Sequence, residues 1–216
     1  MQEEKCLCNK QRRQLLTAAI AVPALILPYQ ATAKPRLPKQ GVRELRGYFY
    51  VNGIRATAHS IIRPGDDVIV ARHSRVSFVV GYDAYSLEAG SYLKIKKGTN
   101  KEGFFTRGLH LVSGAFLAAF GRSEKRITTR HATIGIRGTG IYLRARQEET
   151  YFCTCYGQTS ILVNDQPEII TSTHHMPKKI ELKNNQTVVS SMPMLYHSDE
   201  KNIALEEYCG NDNPFL

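Results

Sequence analysis

The reading of the fold turns on Ala132–Leu143, ATIGIRGTGIYL. Small and β-branched residues alternate up to Arg137, Gly138-Thr139-Gly140 interrupts, and Ile141-Tyr142-Leu143 resumes the apolar run. Two glycines around one threonine predict a backbone corner between two strand pieces, because glycine adopts angles that other residues avoid. Arg137, just ahead of that corner, has two roles open to it. Beside the open Gly138-Thr139 backbone its guanidinium could bind a carboxylate or phosphate. It could instead bridge orphan carbonyls at the corner, partly buried. The structural role is favoured, since Arg offers five donors and no acid–base chemistry.

Outward from this stretch the pattern is short runs broken by turn signals. Leu45–Val51 runs into Asn52-Gly53, a strong hairpin signal, with Ile54–His59 beyond. Arg63–Asp67 is a turn, Val68–Val70 a strand, and Arg75–Val80 alternates with a period of two. Lys96–Arg107 is polar and glycine-containing, which predicts a loop. Leu109–Phe120 is apolar and alanine-rich, but Gly114 in its middle favours two strands around a turn. Thr150–Tyr156, Thr159–Val163, Glu168–Ser172 and Lys179–Leu182 follow as strands. Asp199–Tyr208 is the good helix candidate, with Ser198 or Asp199 to cap it and Gly210 to end it. Strands at this spacing predict an all-β sandwich, barrel or solenoid.

The N-terminus predicts a targeting segment. Met1–Arg13 is polar and ends in Lys10-Gln11-Arg12-Arg13, Leu15–Leu27 is apolar, and Ala31-Thr32-Ala33 has the form of a cleavage site. The apolar run is too short to span a bilayer. Arg12-Arg13 before Gln14-Leu15-Leu16 resembles a twin-arginine signal, with an ordinary secretory signal as the alternative. Residues 1–33 are therefore expected to be cleaved, which places the protein in the periplasm or outside the cell. Residues 34–40, with Pro35 and Pro38, read as an extended leader. No later stretch is apolar enough to anchor the chain in a membrane.

The chain has 216 residues, 29 Lys+Arg and 19 Asp+Glu, a net charge of +10. Without residues 1–33 it keeps 25 basic and 17 acidic residues. An exported protein of this charge meets envelope lipids and acidic polysaccharides, so an envelope polyanion or envelope protein is the expected partner and nucleic acid is not. Nucleotide and hydrolase chemistry is absent. Gly135-Ile-Arg-Gly138-Thr-Gly140 has the wrong spacing for a dinucleotide loop, no Lys-Ser or Lys-Thr follows a glycine-rich loop, and there is no nucleophile elbow. No catalytic constellation emerges. Asp66-Asp67 reads as turn chemistry.

One cluster carries chemistry. In Tyr151-Phe-Cys153-Thr-Cys155-Tyr-Gly157 the two thiols share a strand face. His174-His175 lies one or two strands further on. Both histidines can approach the thiols only if a turn falls near Met176-Pro177. Two thiolates with imidazole suit copper or zinc. The competing expectation is a disulfide. Three cysteines remain after residue 33, so Cys209 could pair with Cys153 or Cys155 in an oxidising compartment. Unpaired thiols are the third possibility.

The run containing Thr129, Ala132, Arg137, Gly138 and Thr139 resembles the signature of FecR-like periplasmic domains. Further pieces stand in the family's order: Gly65-Asp66 before Val68 and Val70, Ser74 before Val76 and Phe78, Gly90-Ser91 before Leu93, and Leu111–Gly114 before Phe116. The resemblance covers Gly41 to Val163, with Ala71 and Gly140 as departures. It implies a β-solenoid or β-roll over 41–165, with 166–216 as a β extension and short C-terminal helix. It also implies a non-enzymatic recognition or scaffold module, linked to signalling or envelope organisation. Members that span the membrane relay a receptor signal to a sigma-factor regulator. With no anti-sigma or transmembrane part expected, the recognition domain alone carries over. The alternative function is periplasmic metal binding through the Cys-x-Cys/His-His cluster.

Overall fold

The computed structural model describes residues 37–100 and 103–216. The expected signal peptide and the start of the leader lie outside them. The strands are β1 (Gly41–Arg46), β2 (Phe49–Val51), β3 (Ile54–Arg55), β4 (Asp67–Val70), β5 (Arg75–Val80), β6 (Asp83–Leu87), β7 (Tyr92–Asn100), β8 (Gly103–Ala119), β9 (Glu124–Thr128), β10 (Thr133–Ala145), β11 (Glu149–Val163), β12 (Gln166–Ser172), β13 (Met176–Lys183) and β14 (Gln186–Ser191). One helix follows, α1 (Asp199–Cys209). Ser198 sits at its N-cap and Gly210, at φ 78°, closes it in the left-handed conformation. The chain is thus mostly β-sheet with one short C-terminal helix. No helix among the described residues is long and apolar enough to cross a membrane.

The strands join one open sheet, and among the described residues every pairing except β8 with β9 is antiparallel. Solenoid character, which rests on coils stacked in parallel, does not follow from these pairings. The loop expected over Lys96–Arg107 is strand instead: β7 and β8 form a long hairpin, with Asn100 paired to Gly103. Leu109–Phe120 is one strand rather than two. Gly114, at φ +83°, marks a close approach, since a Cβ there would meet the Ser91 Cα at 2.4 Å. Gly138-Thr139-Gly140 is likewise a bulge inside β10, where pairing jumps from Arg137 opposite Gln158 to Gly140 opposite Tyr156. A side chain at Gly140 would run into the Tyr156 ring.

Two apolar clusters explain why β8, β10 and β11 read as continuous apolar runs. Phe116, Ile141, Leu143 and Phe152 enter the larger one with Phe49, Phe78 and Leu111. Their neighbours Leu117, Tyr142, Tyr151, Cys153 and Cys155 face the other side and form the smaller one with Leu205 of α1. Met192, Leu195, Tyr208 and Phe215 pack against that second cluster. The central strands therefore bury both faces, and the C-terminal segment covers the second. A buried ion pair, Lys125 Nζ to Asp83 Oδ1 at 3.0 Å, joins β9 to β6. The Tyr85 hydroxyl and Gly121 N–H also donate to that carboxylate.

Candidate metal centre

Cys153 and Cys155 project from β11 into the second cluster, both fully buried. The turn between β12 and β13 brings in the first histidine. His175 takes a left-handed backbone, φ 49°, and its N–H donates to the Cys155 carbonyl at 2.8 Å, which folds its ring over the thiols. The segment after β14 brings in the second. The Tyr151 hydroxyl anchors that segment, accepting from Leu195 N–H at 2.9 Å and donating to the Pro193 carbonyl at 3.3 Å. His197 then lies flat on Tyr142, with ring centroids 4.7 Å apart and planes 4° from parallel. Tyr142 is itself held by Glu88 and Arg144, its hydroxyl donating to Glu88 at 3.0 Å and accepting from Arg144.

The four polar atoms converge. Cys153 Sγ lies 3.7 Å from His175 Nδ1, Cys155 Sγ 3.4 Å from His197 Nε2, and the two ring nitrogens 3.2 Å from each other. All four lie within 4.8 Å of one another. A tetrahedral zinc with ordinary Zn–N and Zn–S bonds would set its nitrogens about 3.3 Å apart and each nitrogen about 3.6 Å from a sulfur. The spacing fits a tetrahedral ion at the centre.

The far sides of both rings are also engaged. His175 Nε2 bonds Asp199 Oδ1 at 2.6 Å, and His197 Nδ1 bonds the Leu195 carbonyl at 2.8 Å. A carbonyl accepts only, so His197 carries its proton on Nδ1 and turns the Nε2 lone pair inward. A carboxylate accepts likewise, which leaves His175 Nδ1 as an inward lone pair. Two N–H donors would have no reason to sit 3.2 Å apart. Two lone pairs do, when a shared proton or a metal cation lies between them.

The thiols are poised unequally. A hydrogen bond from Cys155 holds Cys153 below the usual thiol range. Burial pushes Cys155 well above that range, and the neighbouring Cys153 pushes the same way. The pair shares one proton, with the negative charge on Cys153. Hydrogen bonds from His175 and then His174 hold Asp199 below the usual carboxylate range.

The structure thus brings together Cys153, Cys155 and His175, three of the four residues the sequence puts forward. His174 stays outside the thiol cluster: its side chain is 59% exposed, bonds Asp199 at 2.9 Å and packs edge-on against Phe215. The turn that admits His175 falls before Met176-Pro177, at Thr173–His175, and it sets the two rings side by side, 4.7 Å between centroids, with both on Asp199. His197 and the orienting Asp199 were not legible as site residues. Their one signal is position, two residues apart at the start of a predicted helix. The disulfide expectation is corrected: Cys153, Cys155 and Cys209 are all free thiols. Cys209 ends α1 against the Tyr82 carbonyl, 3.5 Å away, because the helix presents it to β6 and β8 rather than to the turn over β11. The bridging role favoured for Arg137 is corrected too. Arg137 bridges no buried carbonyls; its side chain is 74% exposed, 3.7 Å from Glu124. Gly138 beside it is exposed, whereas Thr139 is buried with its hydroxyl unpartnered.

No family model and no curated protein matches the chain. Two crystal structures of a candidate anti-sigma factor from Parabacteroides distasonis are similar to it, each at 13% identity. One has a TM-score of 0.46 and aligns over 58% of this chain, which spans 59% of that protein's length. The other has a TM-score of 0.48 over 66% of this chain and 73% of its own.

Proposed function

We propose that this chain is an exported, non-catalytic protein that holds one soft metal ion, zinc foremost, between Cys153, Cys155, His175 and His197. The observation that carries this reading is the pair of buried imidazoles, each fixed from behind and each aiming a lone pair at two buried thiols. Tetrahedral S2N2 donors suit zinc, and the thiolates also admit cuprous copper. All four positions are protein donors, which is the arrangement of a structural or carrier ion; a catalytic zinc keeps one position open for water. The wider role is an envelope recognition or scaffold module linked to signalling, supported by the FecR-like order of short motifs from Gly41 to Val163 and by the signal-like segment 1–33.

Metal analysis of the protein prepared from the periplasm of an exporting host tests the reading. About one zinc or copper per chain is expected, lost in Cys153→Ala and in His175→Ala and retained in Cys209→Ala. Native protein free of metal, whose reduced apo form also fails to bind Zn2+, sinks it. Arg12→Lys with Arg13→Lys should block export; normal export of that variant would leave a general secretory signal.

A further inference from the structure

A basic trough lies across the sheet, and none of its lining residues belongs to the metal centre. Six strands contribute one residue each to a single cross-strand row. Lys96 stands opposite Gly108, Gly108 opposite Arg126, Arg126 opposite Gly135, Gly135 opposite Ser160, and Ser160 opposite Ile169. Directly opposed residues share a face. Gly108 and Gly135 contribute no side chains, so the row sinks to backbone beside the two cations. A Cβ on Gly108 would come within 2.5 Å of the Arg126 carbonyl oxygen, so only glycine permits this approach of β8 to β9.

Cations stand along the rim. In the next row on that face Arg137 lies between Glu124 and Gln158. Arg107 is the extra residue of a bulge, between the Lys96–Gly108 and Lys97–Thr106 pairs, and bulges re-aim side chains. Lys96, Arg107, Arg126 and Arg137 are all exposed. Lys125 also lines the trough, but its ammonium is committed to Asp83. Glu124 is the acidic residue among the described lining, and its contact with Arg137 is loose at 3.7 Å.

The dimensions select the ligand. The trough encloses about 900 Å3. Strands lie about 4.8 Å apart, so a six-strand row is about 24 Å long and cations two strands apart stand about 10 Å from each other. A single small anion would use only a fraction of that length. A linear polymer with a negative charge on each disaccharide repeat matches it. Among the described residues the lining contains no aromatic side chain, and single-stranded nucleic acid is held largely by base stacking on aromatics. Gln158 and Ser160 offer instead the neutral donors and acceptors that sugar hydroxyls need. We infer that this trough binds a linear acidic polysaccharide, its anionic groups on Lys96, Arg107, Arg126 and Arg137 and its hydroxyls against Gln158 and Ser160.

Fluorescence anisotropy of labelled hyaluronan oligomers, which carry one carboxylate per disaccharide, titrated with the exported protein at several salt concentrations, tests this. Arg126→Ala with Arg137→Ala should weaken binding about tenfold or more and flatten the salt dependence by about two units of slope. Arg46→Ala with Arg75→Ala removes the same charge from β1 and β5 and should change affinity less than about twofold. Gly135→Val fills the floor without touching charge. It meets only the Ser160 hydroxyl, at 2.6 Å, which can rotate away, so it should keep its melting temperature and still lose about tenfold in affinity. Equal losses from the two arginine pairs would overturn the trough in favour of diffuse charge, as would a silent Gly135→Val. An oligonucleotide of matched charge that binds as tightly as the glycan would overturn the polysaccharide.

Discussion

Replacing His197 by alanine separates a metal ligand from a packed aromatic ring. The imidazole lies flat on Tyr142 and also points Nε2 at Cys155. A structural zinc site is worth about 10–16 kcal/mol, so each of four ligands carries about 3 kcal/mol, or about 150-fold in dissociation constant. At free zinc about 1,000-fold above the wild-type Kd, the ion stabilises the wild type by about 4 kcal/mol. The variant, only about sevenfold above its own Kd, gains about 1.2 kcal/mol. The zinc-dependent loss is therefore about 3 kcal/mol, or about 6–12 °C in melting temperature. In chelator the loss shrinks to the ring's stacking, about 1 kcal/mol. Urea unfolding of both proteins, with zinc buffered and with chelator, reads the two numbers directly. A gap between wild type and variant that is the same in both buffers would refute the ligand role and leave His197 a packing residue.

Three further outcomes follow from the same geometry. Asp199→Asn should weaken zinc binding about 10–100-fold by releasing the back of His175, whereas His174→Ala should be nearly silent; chelator competition measures both. At pH 8 Cys153 is already a thiolate and Cys155 still a thiol, so zinc should displace about one thiol proton, not two. Binding falls as pH drops because protons then compete for the ligands, and calorimetry in buffers of different ionisation enthalpy counts the protons released. Away from the site, Lys125→Met leaves the Asp83 carboxyl buried without its ammonium and should cost about 3–5 kcal/mol in urea unfolding, with much of it recovered when Asp83→Leu is added.

The β class was legible because alternation, glycine and turn residues are local properties. Asn52-Gly53 folds the hairpin it predicts, with Asn52 at φ 53° and Gly53 at φ 79°, and Gly210 ends the helix where expected. Glycines within strands misled. Gly114 and Gly138 read as turns, whereas each marks a bulge or a place where another strand presses close, and what presses close is a neighbour distant in sequence. Lys96–Arg107 read as a loop because Lys96, Lys97 and Arg107 face the trough rather than a core.

For the site, the sequence alone determined that Cys153 and Cys155 share one face of a strand, since that follows from a period of two in any register. It also placed a histidine pair within reach. Which histidine enters depended on one left-handed residue, His175, in the turn before β13. That His197 completes the set, 42 residues from Cys155, depended on the segment after β14 crossing back over β11 and being pinned to the Tyr151 hydroxyl. The parting of the thiol pKa values is likewise tertiary, because the burial that raises Cys155 comes from the C-terminal cover of the second cluster. Strand alternation is written into adjacent residues, whereas the meeting of four donors at one point requires chain segments far apart in sequence to share a core, and only packing decides that.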